Sequence, residues 1–161
     1  MLIKDYNPGT HRQFGFSYMG ILVLMVIAGI SMAGAGLMWH IQLQRAKEQQ
    51  LLFTGNAIRK AIGSYYAANP TGLGEYPSSL KALLLDKRQL SLKRHLRQLY
   101  LDPMGKQQEW ALIMQNDRVI GVYSQSTLAP IKVSGFPAVY EDFSNAKTYQ
   151  DWKFVYIPGI E

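Results

Sequence analysis

The sequence predicts an α+β fold in which one long N-terminal helix packs on a small antiparallel β-sheet. Three observations lead to this prediction. An uncharged apolar segment, residues 16–39, continues into a polar stretch of strong helix formers, residues 40–69. Asn69 and Pro70 then end the helical pattern, because a residue before proline avoids the helical region. Finally, residues 109–114 and 118–124 resemble two short strands joined by a polar loop.

The apolar segment has the length of a membrane span. Its twenty-four residues without charge would form a helix of roughly 36 Å, against about 30 Å for the hydrocarbon layer. The apolar region of a cleaved secretory signal is shorter, although Ala33-Gly34-Ala35 would suit signal peptidase. An uncleaved signal anchor therefore stays open as an alternative. Positive residues flank both ends of the segment, so charge does not fix its orientation.

The helix is expected to continue beyond the membrane, from about Phe16 to Ala67. Leu51, Ile58, Ile62 and Tyr65 fall at helical spacing and predict one amphipathic stripe that faces the domain. Within the apolar half, Gly29 and the alanine four residues later have the spacing of packed membrane helices.

The remaining elements follow in a domain of residues 70–161. Residues 77–88 predict a short helix with Ser78 or Ser79 near its start and leucines on its buried face. Asp102-Pro103-Met104-Gly105 predicts a turn, with Gly105 available for a positive backbone angle. The strand pair joined by residues 115–117 predicts a hairpin in which Trp110, Leu112 and Met114 alternate along the first strand.

The N-terminus carries a motif that resembles a known processing signal. Residues 1–15 are a short polar leader that ends in Gly15, and Phe16 begins the apolar run. This junction resembles the leader of type IV pilins and type II secretion pseudopilins. The resemblance implies that a prepilin peptidase cuts between Gly15 and Phe16 and that the new N-terminal Phe16 is N-methylated.

One position departs from that family. The resemblance implies a glutamate at the fifth residue of the mature chain, where it would meet the terminal amine of a neighbouring subunit, but this chain has Gly20. A carboxylate inside a membrane is costly unless paired, so Gly20 removes one device for docking into a filament. The tip-type minor pseudopilin of the family also lacks this glutamate.

The C-terminal domain resembles the same family. The run LYLDPMGKQQEW leading into a hairpin, and the later PIKVSGF and YQDWKFVYIP, are similar to the G-type pseudopilin domain. The resemblance implies a subunit of a periplasmic pseudopilus for protein export, anchored once in the bacterial inner membrane with residues 70–161 in the periplasm. Its implied partners are other pseudopilins, the inner-membrane secretion platform, the prepilin peptidase, the membrane and an exported protein cargo.

Other chemistry has little support in the sequence. Cysteine is absent, which excludes disulfides and thiolate sites. None of His11, His40 and His95 stands with a serine and an acid in a recognisable arrangement, and no cofactor motif is present. Some G-type pseudopilins bind calcium, but the acids here lack a calcium-loop spacing, so we expect structural turns and caps, no metal, no cofactor and no catalytic residue. These acids are Asp102, Asp117, Glu141, Asp142 and Asp151.

The chain is basic, with a formal net charge of +6. Five of its cations fall within eleven residues: Lys87, Arg88, Lys93, Arg94 and Arg97. Leucines alternate with these cations, as expected where a solvated surface covers a hydrophobic core. Nucleic acid is therefore a disfavoured partner. Two alternative functions stay open: a minor pilin of a type IV or DNA-uptake pilus, and a membrane-anchored enzyme or binding domain that forms no filament.

Overall fold

The computed structural model describes residues 14–69, 72–88, 92–105, 107 and 109–159. Side chains of residues 14–17 and 32–38 lie outside this description. The chain divides into two compact units, Met1–Gln42 and Leu43–Glu161. Within the described residues there is one α-helix, α1, which spans Phe14–Ala67, so the predicted long helix and its end before Pro70 are confirmed.

The first unit contains the N-terminal part of α1. From Tyr18 to Ser31 every residue is exposed. No helix in the described residues is both long and apolar enough to cross a membrane. The membrane span predicted at residues 16–39 is therefore not confirmed, and part of that segment, residues 32–38, has side chains outside the description.

The second unit is built around the C-terminal part of α1. Leu51, Ile58, Ile62 and Tyr65 are all buried, which confirms the predicted stripe. The described part of this unit also contains three 3-10 helices, one before the first strand of the sheet and two between its second and third strands; the first, Leu80–Leu83, takes the place of the predicted short helix. Only Leu83 of its leucines is fully buried, and Ser79 stands at its N-cap position without a side-chain cap bond.

The sheet has three antiparallel strands in the order β1-β2-β3: Ala111–Gln115, Arg118–Tyr123 and Lys153–Val155. Asn116 and Asp117 join β1 to β2, with φ of 50° and 58°. Two consecutive positive angles are typical of the tight hairpin turn that matches strand twist. The predicted hairpin is thus confirmed, whereas β3 was not predicted as a strand.

The first strand begins two residues later than predicted, at Ala111. Trp110 is buried, but it lies just before the strand, while Leu112 and Met114 are 43% and 48% exposed. The register of β1 against β2 shifts between Ile113 and Met114. Such an irregularity bends a strand and changes which side chains face the core.

α1 packs closely against β3 and the residue after it at two glycines, Gly55 and Gly63, which have no side chain. A β-carbon added at Gly55 would lie 2.5 Å from the ring of Phe154, and one at Gly63 would lie 2.5 Å from the ring of Tyr156. These two glycines allow Phe154 in the middle of β3 and Tyr156 just after its end to lie directly against the helix backbone.

Aromatic rings fill most of the core. Phe143 stacks on Trp152 with ring centroids 5.3 Å apart and on Tyr140 at 4.8 Å. Phe154 meets Phe143 edge to face at 5.4 Å. Tyr140 and Phe143 come from the 3-10 helix Ala138–Asn145, so this irregular segment supplies two core side chains, against three from the strands: Val119, Val122 and Phe154.

Candidate functional site

A polar cluster near the end of α1 joins residues that are far apart in sequence. Oγ of Ser64 lies 2.8 Å from Nδ1 of His95, and Nε2 of His95 lies 3.2 Å from Oδ2 of Asp86. The side chains of His95 and Asp86 are buried. This serine–histidine–acid arrangement was not predicted from the sequence, because the three residues lie on separate segments.

Arg88 completes the cluster. Its Nε donates to Oδ1 of Asp86 at 3.0 Å and its terminal nitrogen donates to Oδ2 at 2.8 Å. The guanidinium also lies 3.5 Å from the ring centroid of Tyr65. The hydrogen bonds from Arg88 hold the pKa of Asp86 well below its usual range, and the same pairing raises the pKa of Arg88.

The environment of His95 favours its neutral form. Burial lowers the pKa of its imidazole, and the hydrogen bond to Asp86 opposes that shift only in part. In the tautomer whose Nε2–H donates to Asp86, Nδ1 accepts the hydroxyl proton of Ser64 in a hydrogen bond. The order of groups is that of a catalytic triad with the imidazole reversed.

The surroundings of the cluster favour a structural role. Arg88 already neutralises Asp86, which weakens the stabilisation that the acid could give to a charged imidazole. Ser64 lies inside a helix, where backbone N–H groups are used in helical hydrogen bonds and cannot form an oxyanion hole. We therefore interpret the cluster as a tie between the end of α1 and the segment 86–95.

A second buried acid ties the middle of α1 to a distant loop. Glu48 is 3% exposed. Its carboxylate accepts hydrogen bonds from the backbone N–H groups of Ile131 at 3.0 Å and Lys132 at 2.8 Å, and from the hydroxyl of Tyr149 at 2.8 Å. Burial raises the pKa of Tyr149 to about 12. Glu48 was not singled out from the sequence, where it is one acid in a polar helical stretch.

The predicted turn at residues 102–105 is a third such tie. Asp102 is fully buried and accepts from the Met104 N–H and from the hydroxyl of Ser124 at 2.7 Å. Gly105 does not have the positive φ that we expected. It is required for space instead, since a β-carbon there would lie 2.5 Å from Oδ2 of Asp102.

Other acids weighed as metal ligands also serve turns and caps where the structure gives them contacts. Asp151 caps the 3-10 helix Tyr149–Asp151 by accepting from the backbone of Lys147 and Thr148, which lowers the pKa of its carboxyl. Asp117 occupies the hairpin turn. Over the described residues, no group of three or more His, Asp or Glu is placed to hold a metal ion.

The residues predicted from the pilin-like motif are described only in part. Gly15 and Phe16 lie within α1, but their side chains fall outside the description. Gly20 lies on the exposed helix with no atom within 4 Å of an added β-carbon. The basic run does not act as one patch, because Arg88 is paired to Asp86 while Lys93, Arg94 and Arg97 are exposed.

The fold therefore defines an α+β protein in which a helix packs on a small three-stranded antiparallel sheet. Compared with family models, curated proteins and solved structures, the chain matches none of them.

Proposed function

We propose that the chain is a pseudopilin-like structural subunit, anchored in the bacterial inner membrane, that assembles through its N-terminal helix into a short periplasmic filament for protein export. The leader, the Gly15-Phe16 junction and the resemblance of the C-terminal domain support this proposal. A helix packed on a small antiparallel sheet in the second unit is compatible with it.

The observation that carries the proposal is the uncovered apolar surface of the first unit. Ten large apolar side chains between Tyr18 and Ile30 are each 41–70% exposed. Covering them would stabilise the helix by roughly 1 kcal/mol each, or on the order of 10 kcal/mol in total. A surface of this kind needs lipid or other helices against it.

Small residues on the same helix suggest that neighbouring helices, together with lipid, cover this apolar surface. An added β-carbon at Gly20 or Gly29 would meet nothing within 4 Å, so the backbone there is open to close approach. Gly20 also means that no carboxylate is available at this position to pair with a neighbouring subunit. We propose that helix packing alone holds this subunit in place, as a specialised rather than a major subunit would be held.

The second unit supports a mechanical role over a catalytic one. Its buried acids Glu48, Asp86 and Asp102 are each saturated with donors that tie separate segments together. Ties of this kind stiffen a domain, which suits a subunit that transmits force.

Cysteine cross-linking in native membranes tests helix-mediated assembly, and the chain has no cysteine of its own to interfere. Ile27→Cys places a thiol on the exposed apolar helix, and Val133→Cys places one on an exposed loop of the second unit; these positions are 57% and 62% exposed. We expect oxidation to give a disulfide-linked dimer for Ile27→Cys and much less for Val133→Cys. Equal dimer yields at the two positions would contradict assembly through the helix.

A DNA-uptake pilin is the second candidate, because Lys93, Arg94 and Arg97 are exposed cations close together in sequence. It predicts that the full chain in detergent binds duplex DNA with an affinity that falls steeply as salt rises. The variant with glutamine at all three positions should lose that binding. If the wild-type chain does not bind DNA at low salt, this candidate is excluded.

A further inference from the structure

An open groove runs along α1 in the second unit. It has a volume of about 710 Å³ and lies between the helix and the segment 137–140, with the ring of Tyr156 also on its wall. Grooves of roughly 300–1,000 Å³ are in the range that proteins use for ligands. Of the residues in the ties described above, Ser64 alone lies on its wall.

Arg59 is the unusual residue in the wall of the groove. It is 8% exposed, yet among the described residues no carboxylate lies within ion-pair distance of it. Its Nε is buried and has no hydrogen-bond partner. The guanidinium carbon lies 5.6 Å from the ring centroid of Tyr140, and the Tyr140 hydroxyl is hydrogen-bonded to the Arg59 side chain, so the charge has an aromatic and a neutral polar partner but no anion.

A buried cation without an anion is costly, because it loses hydration and gains little in return. The hydrogen bond with the neutral Tyr140 hydroxyl offsets only part of that cost, because it supplies no opposite charge. The neighbouring Lys60 is an exposed second cation, and no acid is among the residues of the wall. The carboxylates of the second unit that are buried, such as Asp86 and Glu48, are already held by other donors.

We propose that this groove binds a carboxylate side chain from an acidic peptide segment of a partner protein, with Arg59 as the main ligand and Lys60 as the second. A guanidinium presents a planar fork of donors that matches a carboxylate, and burial strengthens the pair. Pro137, Val139 and Tyr156 give the groove an apolar wall for the aliphatic part of such a segment. A nucleic acid would instead need a longer row of cations for successive phosphates.

Peptide binding by the full-length chain in detergent micelles tests the proposal. The probes are a fluorescein-labelled Gly-Leu-Glu-Leu-Glu-Gly peptide and its counterpart with glutamine at both glutamate positions, followed by fluorescence anisotropy. We expect the acidic peptide to bind at least tenfold more tightly than the neutral one. Arg59→Gln should abolish this difference, whereas Arg94→Gln, which removes an exposed cation elsewhere, should keep it.

Three results would overturn the proposal: equal affinity for the two peptides, an unchanged preference in Arg59→Gln, or displacement of the acidic peptide by a single-stranded oligonucleotide at lower concentration than by unlabelled acidic peptide. The measurement needs only the single chain. Its outcome is therefore independent of whether the protein forms a filament.

A second variant separates ligand binding from a purely structural role of Arg59. Arg59→Met keeps an unbranched side chain against Tyr140 but removes the charge. If Arg59 is held for a ligand, the melting temperature of the unliganded chain should stay the same or rise, because an unpaired buried charge has been removed. A fall of several degrees would show that the guanidinium serves the fold, and would overturn its assignment to a ligand.

Discussion

Replacing Glu48 by glutamine tests how strongly one buried carboxylate holds the second unit together. The carboxylate accepts from two backbone N–H groups, of Ile131 and Lys132, and from the hydroxyl of Tyr149. Glutamine has nearly the same shape but keeps only one acceptor oxygen, so its amide nitrogen must face a donor on the other side.

The size of the effect follows from these contacts. One backbone N–H is left without an acceptor in a half-buried place, at a cost of about 1–3 kcal/mol. The remaining bonds change from charged to neutral, which removes roughly 1 kcal/mol more. We expect Glu48→Gln to lower the free energy of unfolding by about 2–4 kcal/mol, a large share of the 5–15 kcal/mol that is ordinary for a domain.

Urea unfolding of the full chain in detergent, followed by tryptophan fluorescence, measures this change. Trp152 is a suitable reporter, because its ring centroid lies 5.1 Å from that of Tyr149, which Glu48 holds. With a urea dependence of about 2 kcal/mol per molar, the midpoint should fall by roughly 1–2 M. Glu109→Gln makes the same chemical change on an exposed side chain and should shift the free energy of unfolding by less than about 0.5 kcal/mol. If the two variants unfold at the same urea concentration, the buried carboxylate does not hold this loop in the way described.

Three further predictions concern single positions. Burial keeps the pKa of His95 below its unfolded value near 6.5, so the contribution of the neutral imidazole to stability is fully present above that pH and is lost as the pH falls below it. His95→Gln should therefore flatten the pH dependence of the melting temperature between about pH 7 and 5. An unchanged slope would count against a buried neutral imidazole. Gly55→Ala should lower the unfolding free energy by about 1–2 kcal/mol, because the new methyl group would meet the Phe154 ring, and this outweighs the better helix propensity of alanine. Gly29→Ala adds a methyl group where no atom lies within 4 Å, so it should not be destabilising in the same melting experiment. Asp117→Gly should raise the free energy of unfolding by about 0.5–1 kcal/mol, and with it the urea midpoint, because glycine adopts the positive φ of the hairpin turn without steric cost. A drop in the midpoint would contradict the turn geometry.

Local patterns in the sequence were enough for the elements whose physics is local. The helical spacing of Leu51, Ile58, Ile62 and Tyr65 depends on one period along one segment, and all four are buried. The hairpin was predictable for the same reason, since its two strands and turn are contiguous. By contrast, β3 has three residues, Lys153–Val155, and it becomes a strand only through its pairing with β2.

The candidate sites could not be predicted, because they depend on contacts between distant segments. Ser64 and His95 are 31 residues apart, and Glu48 meets backbone groups more than 80 residues away. The alternation at Leu112 and Met114 identified a strand but not which face would be covered. The unpaired burial of Arg59 likewise emerges only from the packing of α1 against the segment 137–140.

The mass of the N-terminus of the protein, purified from the membranes of its own host, tests the proposed assembly function most directly. We predict a chain that begins at Phe16, with a methyl group on its amine and without residues 1–15. An intact chain beginning at Met1, or one cut at Ala33-Gly34-Ala35, would contradict it. Either result would leave the apolar helix as an anchor or a signal, and not as the assembly helix of a pilin-like subunit.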